Sequence, residues 1–397
     1  MYRDGKILIL KLHNKLLSLL LNGNQILAAR AHHDKAIAVG DIYLGRVQNI
    51  SRNINAAFVD LGNKYLTFLP MADAAAAFVV NRKPDGSLKV GDEVLVQVTK
   101  EPMKTKLAGV TTKISLAGRY VVIGSHSQEK TTVQVSSKLN KKLQNRFRSL
   151  EALQPLSERY QIIVRTNAGT LTEDAPLIDE AGELAGTLAH IYEIADKRTC
   201  YSCLYRSQPD YITFIQNAYR TEYDEIVTDL PDVYETLQAF FKDTDIPIRL
   251  YEDNRLPLYK LYSVEMRMKE LLDKKVWLKS GGYLVIEPTE ALISVDVNTG
   301  KCETGKNTEE TFMKINREAA EMIALQLRAR NLSGMILVDF INLNQKDHQI
   351  QLMEYMKKLL RQDPVTANVV DMTGLGLMEL TRKKVDSSFT EQMRKDN

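Results

Sequence analysis

The chain opens on three short apolar runs, Lys6–Lys11, Leu16–Leu21 and Gln25–Arg30, separated by His13-Asn14 and by Asn22-Gly23-Asn24. Turn residues in gaps this short, between runs this apolar, predict consecutive β-hairpins. From Gly40 the texture changes to the runs IYLGRV, NAAFVDLG, YLTFLP and EVLVQVTK, punctuated by Gly45, Gly62, Pro70 and Gly91. Short strands at that spacing predict a small barrel, of which the oligonucleotide-binding fold is one form. Beyond Gly118 the pattern mixes: a strand-like YVVI, a polar stretch with Lys138, Lys141, Lys142, Arg146 and Arg148, then the apolar QIIVRT. Leu184, Leu188, Ile191, Ile194 and Ala195 recur near a helical period and predict one long helix over 180–205, and a second amphipathic helix is predicted around 261–272. The last third is the most regular. ALISVDVN and MILVDFIN read as strands, and between them Phe312, Ile315, Ala319, Met322, Ile323 and Leu327 share one helical face. Thr308, Glu309 and Glu310 place a cap and negative charge at that helix's start, and Asn331 and Gly334 punctuate its end. Strand, helix, strand in this order predicts a crossover unit with parallel, neighbouring strands.

At 397 residues the chain is too long for one compact core, so two or more domains are expected. Lys plus Arg total 53 against 50 Asp plus Glu, a formal net charge of +3. That balance requires any nucleic-acid partner to be met by local basic patches and not by the whole surface. The three cysteines, Cys200, Cys203 and Cys302, exclude a disulfide scaffold and fit a reducing compartment. Cys200 and Cys203 make one C-x-x-C with no second pair, and the six histidines show no metal-ligand spacing, so no zinc is expected. Lys11, His13, Asn14 and Lys15 break up the N-terminal apolar run, which reads as neither leader nor membrane span. A soluble, cytoplasmic protein is expected.

Two carboxylates carry the candidate chemistry. Asp296 and Asp339 each stand inside a run that otherwise reads as a buried strand, where a carboxylate is costly unless paired, hydrogen-bonded or bound to metal. The strand period of two puts Asn298 on the same face as Asp296. Parallel strands let both aspartates converge at their carboxyl ends, where open α/β sheets bind ligands. Two carboxylates and an amide oxygen form a hard oxygen set suited to Mg²⁺, or Mn²⁺, over zinc. The plainer reading is that each Asp caps a loop or pairs with a basic side chain.

GGYLVIEPTEALISVDVNTG, then NTEETFMKINREAAEMIALQLRARNLSGMILVDFINL, then GLGLMELTRKK resemble the catalytic region of the ribonuclease E/G family. The resemblance implies that Asp296 and Asp339 hold the metal, supported by Asn298. GDIYLGRVQNISRNINAAFVDLGNKYLTFLP is similar to that family's S1-type barrel, which implies RNA contacts at Phe58, Phe68 and Lys106. Periodicity alone leaves open which way Phe58 points, and a Phe in an alternating strand is more often core than platform. Lys100, Lys104, Lys106, Lys113 and Arg119 form a local basic run beside it. The V-R-T and L-A-G-R-Y-V-V segments resemble the family's 5′-monophosphate pocket, which implies roles for Arg165, Thr166, Gly118 and Val122.

The implied architecture is α/β and α+β, in several domains. A ribonuclease-H-like domain over 1–36 and 119–212 takes an inserted oligonucleotide-binding barrel at 37–118. A 5′-sensor domain follows at 213–277, and a deoxyribonuclease-I-like catalytic domain at 278–397. The implied activity is Mg²⁺-dependent hydrolysis of single-stranded, A/U-rich RNA to 5′-phosphate and 3′-hydroxyl ends, stimulated by a 5′-monophosphate, in rRNA processing and mRNA decay. A non-catalytic RNA-binding protein that keeps the fold is the alternative. A metal-dependent phosphodiesterase acting on DNA or small nucleotides is a further one. The family's cysteine-rich zinc link and small C-terminal domain have no counterpart in the sequence, so a monomer or dimer is expected and a zinc-linked tetramer is not. VDFIN also departs from the family, with Asn342 where a second acidic residue is common.

Overall fold

The computed structural model describes residues 4–33, 37–74, 77–83, 85–102, 106–125, 133–242, 244–300 and 308–394. The chain divides into two compact units, one of residues 34–209 and one combining 1–33 with 210–397.

The opening runs fold as expected into an antiparallel meander, β1 (Gly5–Leu12), β2 (Lys15–Asn22) and β3 (Gln25–His32). His13 and Asn14 link the first two with φ of 48° and 61°. Positive φ at both positions of a two-residue loop matches the twist of the flanking strands.

In the 34–209 unit, β4 (Ile42–Ser51), β5 (Ala56–Asp60), β6 (Leu66–Pro70), β7 (Glu93–Lys100) and β8 (Ala108–Thr111) close into a five-stranded barrel, because β4 pairs with both β5 and β7. All its pairings are antiparallel except β6 with β8. Val47, Ala57, Val59, Leu69, Val94, Val96 and Val110 fill its interior. A second sheet of β9 (Ser115–Ala117), β10 (Val121–Gly124), β11 (Gln134–Val135) and β12 (Gln161–Val164) runs in the order β11-β12-β10-β9. The helix Ala175–Ala195 packs on it through Leu177, Ala181, Leu188 and Ile191. That helix is shorter at its end than the sequence pattern predicts. It stops at Ala195, and Cys203 lies in β13 (Cys203–Tyr205), a strand added to β4. The apolar spacing that runs on to Tyr205 therefore belongs to an edge strand.

In the other unit, β14 (Glu225–Thr228) and β15 (Ile248–Leu250) extend the opening meander into a sheet of order β15-β14-β1-β2-β3, with β14 parallel to β1. This corrects the grouping of 1–36 with 119–212: the meander takes its partners from 225–250, and 119–209 lies in the barrel's unit. The short runs QIIV and EIVT are interchangeable in pattern, so periodicity cannot choose between them. Local chemistry does. The Lys6 ammonium meets the Glu225 carboxylate at 2.5 Å, and a Cβ on Gly5 would collide with the Glu222 carbonyl. The last sheet comprises β16 (Lys275–Trp277), β17 (Tyr283–Pro288), β18 (Ile293–Asn298), β19 (Gly334–Asp339), β20 (Ala367–Met372) and β21 (Leu377–Arg382), in the order β16-β17-β18-β19-β21-β20. Only β18 and β19 run parallel, linked by the helix Thr308–Ala329 as the strand–helix–strand pattern predicts. That helix ends with Asn331 at φ 49° and the Leu332 N–H bonded to the Leu327 carbonyl at 2.9 Å, a Schellman closure.

Candidate functional site

Alternation decides what the six-stranded sheet shows on each face. Leu284, Ile286, Ile293, Val295, Val297, Ile336, Val338, Met378 and Leu380 point to one side and form a core with the helices Thr308–Ala329 and Lys346–Leu360. Asp296, Asn298 and Asp339 point to the other, with both aspartates exposed. Asp296 and Asp339 are register partners on adjacent parallel strands, so their side chains leave the same face about 5 Å apart. The Asn298 amide donates to the Asp296 carboxylate at 2.7 Å and fixes its orientation.

This corrects the argument from burial. The aspartates do not stand in strands buried on both faces; they lie on the open side of a half-buried sheet. What singles them out is like-charge juxtaposition, because equal charges directly opposite each other destabilise a strand pair. A cation between them reverses that sign. Among the described residues no group of three or more His, Cys, Asp or Glu is arranged to hold a metal. Two carboxylates are too few for a structural zinc site but are the usual protein share of a Mg²⁺ site, where water and phosphate oxygens complete the shell. The donor set therefore fits magnesium.

Residues that sequence reasoning missed hold the strand ends. Asn316 is fully buried in the helix Thr308–Ala329, where its Nδ2 donates to the Ile341 carbonyl at 2.7 Å and its Oδ1 accepts from the Ile341 N–H at 3.0 Å. This clamp fixes the backbone two residues beyond Asp339. Its signal in the sequence is a polar residue interrupting the apolar stripe of Phe312, Ala319 and Ile323. Glu309, in the helix's first turn, accepts from the N–H groups of Gln345 at 3.1 Å and Asn344 at 3.3 Å and faces His348 at 3.3 Å. The Gln345 N–H, with help from Asn344 and His348, holds the Glu309 carboxyl below its ordinary value. Beyond β18, Gly300 has φ 57°, and a Cβ there would strike the Gly281 carbonyl. Only glycine lets the turn at 280–282 pack against the end of the Asp296 strand.

On the barrel, Phe58 and Phe68 are register partners whose rings meet edge to face, with centroids 6.2 Å apart. Their neighbours Ala57, Val59 and Leu69 fill the barrel core, so both rings face outward and are half-buried. The structure thus settles what periodicity left open. Gly109 pairs with both Phe68 and Lys100, which brings a lysine beside the aromatic pair. Lys106 is exposed just before β8. The rest of the basic run is less available: Lys113 pairs with Asp73 at 2.8 Å and Arg119 is buried, while Lys104 falls outside the described residues.

Arg165 follows β12. Its N–H donates to the Tyr120 carbonyl at 2.7 Å, and its guanidinium donates to the carbonyl of Gly118. The Thr166 hydroxyl lies 2.8 Å from that of Ser136. The Gly118 N–H is bonded to Val121, and Val122 lies within the β10 ladder between Ile163 and Ala117. Sequence reasoning also missed Glu180, whose carboxylate accepts from the N–H groups of Arg119 at 2.7 Å, Tyr120 at 2.7 Å and Val121 at 3.0 Å. Burial pushes the Glu180 carboxyl up, against the pull of those three N–H groups and of Arg165. A Cβ on Gly118 would overlap this carboxylate, so glycine is required there. Arg165, Thr166 and Gly118 are gathered at one place, and Val122 is drawn into the sheet beside it.

A closed five-stranded barrel with outward aromatics on its second and third strands is the class of domain that binds single-stranded nucleic acid. Residues 36–113 match the S1 RNA binding domain, and residues 115–385 match the ribonuclease E/G family. The chain is 32% identical to Ribonuclease G of Escherichia coli over 365 residues, covering 88% of this chain and 74% of that protein. It is 32% identical to Ribonuclease G of Haemophilus influenzae over 366 residues, covering 88% and 73%. With Ribonuclease E of Synechocystis it shares 33% identity over 366 residues, covering 89% of this chain and 53% of the other. The chain belongs to the ribonuclease E/G family.

Proposed function

We propose that this protein is an endoribonuclease that hydrolyses single-stranded RNA, with Asp296 and Asp339 as its metal-binding carboxylates. The observation that carries the reading is their register pairing on the open face of one sheet. Magnesium bound there supplies positive charge for the phosphate and lowers the pKa of an attacking water. Asn298 holds the Asp296 carboxylate through the bond from its amide. Asn316 and Gly300 hold the two strand ends at fixed spacing. The barrel contributes affinity through Phe58 and Phe68 stacking on bases and Lys106 attracting phosphate, a recognition tolerant of sequence and suited to unpaired RNA.

The products in this reading carry 5′-phosphate and 3′-hydroxyl ends, with A/U-rich segments preferred because they are the least structured. Processing of ribosomal RNA and decay of messenger RNA are the roles that fit. In this reading the Arg165 guanidinium and the Thr166 hydroxyl take a terminal phosphate and the Gly118 carbonyl aims the arginine, outside the 213–277 segment expected from sequence to be the 5′-sensor. Among the described residues no helix is long and apolar enough to cross a membrane.

The test is incubation of the full chain with end-labelled single-stranded RNA and DNA of one sequence, with magnesium or with a chelator. Cleavage of RNA alone, only with magnesium, and with 5′-phosphate product ends is expected. Tight RNA binding with no cleavage under any divalent cation would favour the binding-only alternative. Arg165→Ala is expected to erase any preference for 5′-monophosphorylated over 5′-hydroxyl RNA while leaving internal cleavage in place.

A further inference from the structure

The open face of the catalytic sheet carries a second feature beside the aspartates. Trp277 of β16 and Tyr283 of β17 are register partners, their ring centroids 5.3 Å apart and tilted by 60°. Lys275 places its ammonium 4.1 Å from the Trp277 ring centroid and 3.7 Å from that of Tyr283. Val276, between Lys275 and Trp277, turns inward onto the core, so the alternation puts all three of these side chains on the face of Asp296. Tyr283 is in turn the register partner of Asn298, and Val285 that of Asp296. The Tyr283 position is therefore diagonal to Asp296, at about 7–8 Å, with Trp277 one strand further out.

The indole is 61% exposed on the edge strand of the sheet, so little of its surface is spent on the core. With Lys275 over the ring, that exposure leaves indole surface within reach of a flat partner. We infer that Trp277 and Tyr283, with Lys275, form a stacking platform for a nucleobase of the single-stranded RNA next to the scissile phosphate. This rests on the ribonuclease reading of Asp296 and Asp339 and adds a determinant of substrate position to it. The chemistry matches the occupant. Bases stack on aromatic faces, and an ammonium held between two rings stands ready for the phosphate of the stacked nucleotide. The platform differs in kind from the Phe58–Phe68 pair: it lies on the sheet of the aspartates, so it sets which phosphate reaches them.

Trp277 is the only tryptophan in the chain, so its emission reports on the platform without a label. The full chain carrying Asp339→Asn, expected to bind RNA while cutting it far more slowly, is titrated with a single-stranded oligoribonucleotide while anisotropy of a dye on the RNA is followed in parallel. Quenching of Trp277 with the same midpoint as the anisotropy is expected, and one abasic position near the cleavage site should abolish it. In the otherwise unmodified chain, Trp277→Ala is expected to raise KM by about 5- to 150-fold, the range that one base–aromatic stack carries, with kcat within a few-fold. Trp277→Phe should restore most of the loss. RNA binding with no change in emission, or a wild-type KM in folded Trp277→Ala, would overturn the platform. Absence of cleavage by the unmodified chain would instead overturn the ribonuclease reading, and the quenching experiment would still read the platform.

Discussion

Replacing Asp339 by Asn should make the metal-free protein more stable and remove its response to magnesium. Asp296 and Asp339 stand opposite each other on parallel strands, their side chains leaving the sheet about 5 Å apart and both exposed. Coulomb repulsion at that distance is about 0.8 kcal/mol at the dielectric of bulk water and about 1.7 kcal/mol at half that value. The amide of Asp339→Asn keeps the shape and removes the charge, so relief of about 1 kcal/mol is expected. That raises Tm by about 2–4 °C for a unit of this size. If it binds the folded pair of carboxylates and not the unfolded chain, magnesium at ten times its Kd should stabilise the unmodified chain by about 1.4 kcal/mol. The assay is thermal unfolding followed by circular dichroism at low ionic strength, for both proteins, with a chelator and over a magnesium series. The two curves should cross: Asp339→Asn melts higher without metal, and the unmodified chain gains with metal while the variant does not. A lower melting temperature for metal-free Asp339→Asn, or an equal magnesium shift in both proteins, would refute the claim that the two carboxylates form one cation site.

Three further outcomes follow from the geometry. Asn316→Ala removes both bonds to the Ile341 backbone and should cost about 2–4 kcal/mol in chemical denaturation, whereas a loss below about 0.5 kcal/mol would show that the clamp is dispensable. Phe58→Ala should weaken RNA binding by about 1–3 kcal/mol without changing the slope of log affinity against log salt, while Lys106→Ala should reduce that slope by about 0.7; both are read by anisotropy across a salt series. The Glu309 carboxyl is held below its ordinary value of 4.5, chiefly by the Gln345 N–H, so its contribution to stability is complete above about pH 4.5 and is lost as pH falls through the lowered value. Glu309→Gln should flatten that acid limb in a pH series of unfolding curves.

Local pattern made much of this legible. The hairpin loop at His13-Asn14, the closed barrel and the strand–helix–strand carrying the aspartates each follow from turn chemistry and periodicity, which act within a few residues. Pairing between distant segments was not legible, because QIIV and EIVT are equivalent as apolar runs, and contacts such as Lys6–Glu225 and the close approach at Gly5 distinguish them in space. The aspartates were singled out for a partly mistaken reason. Val295-Asp296-Val297 reads as a buried run, yet its alternation places the acid on the open face. Glu180 could not have been found, because its partners are backbone N–H groups some sixty residues away, which leave no residue-type signature. Asn316 could have been found, as the polar break in an apolar helical stripe. The outward direction of Phe58 needed the core assignments of Ala57 and Val59, which sequence alternation blurs because Ala56 is also buried.

The central claim is that two register-paired carboxylates enable phosphodiester hydrolysis. It is tested most directly by single-turnover cleavage of a single-stranded oligoribonucleotide in magnesium by the unmodified chain, Asp296→Asn and Asp339→Asn, with RNA affinity measured beside each rate. Both variants should bind RNA as tightly as the unmodified chain and cleave it at least about a hundredfold more slowly, a loss of about 2.7 kcal/mol in transition-state stabilisation. Cleavage by either variant at the unmodified rate would contradict the account.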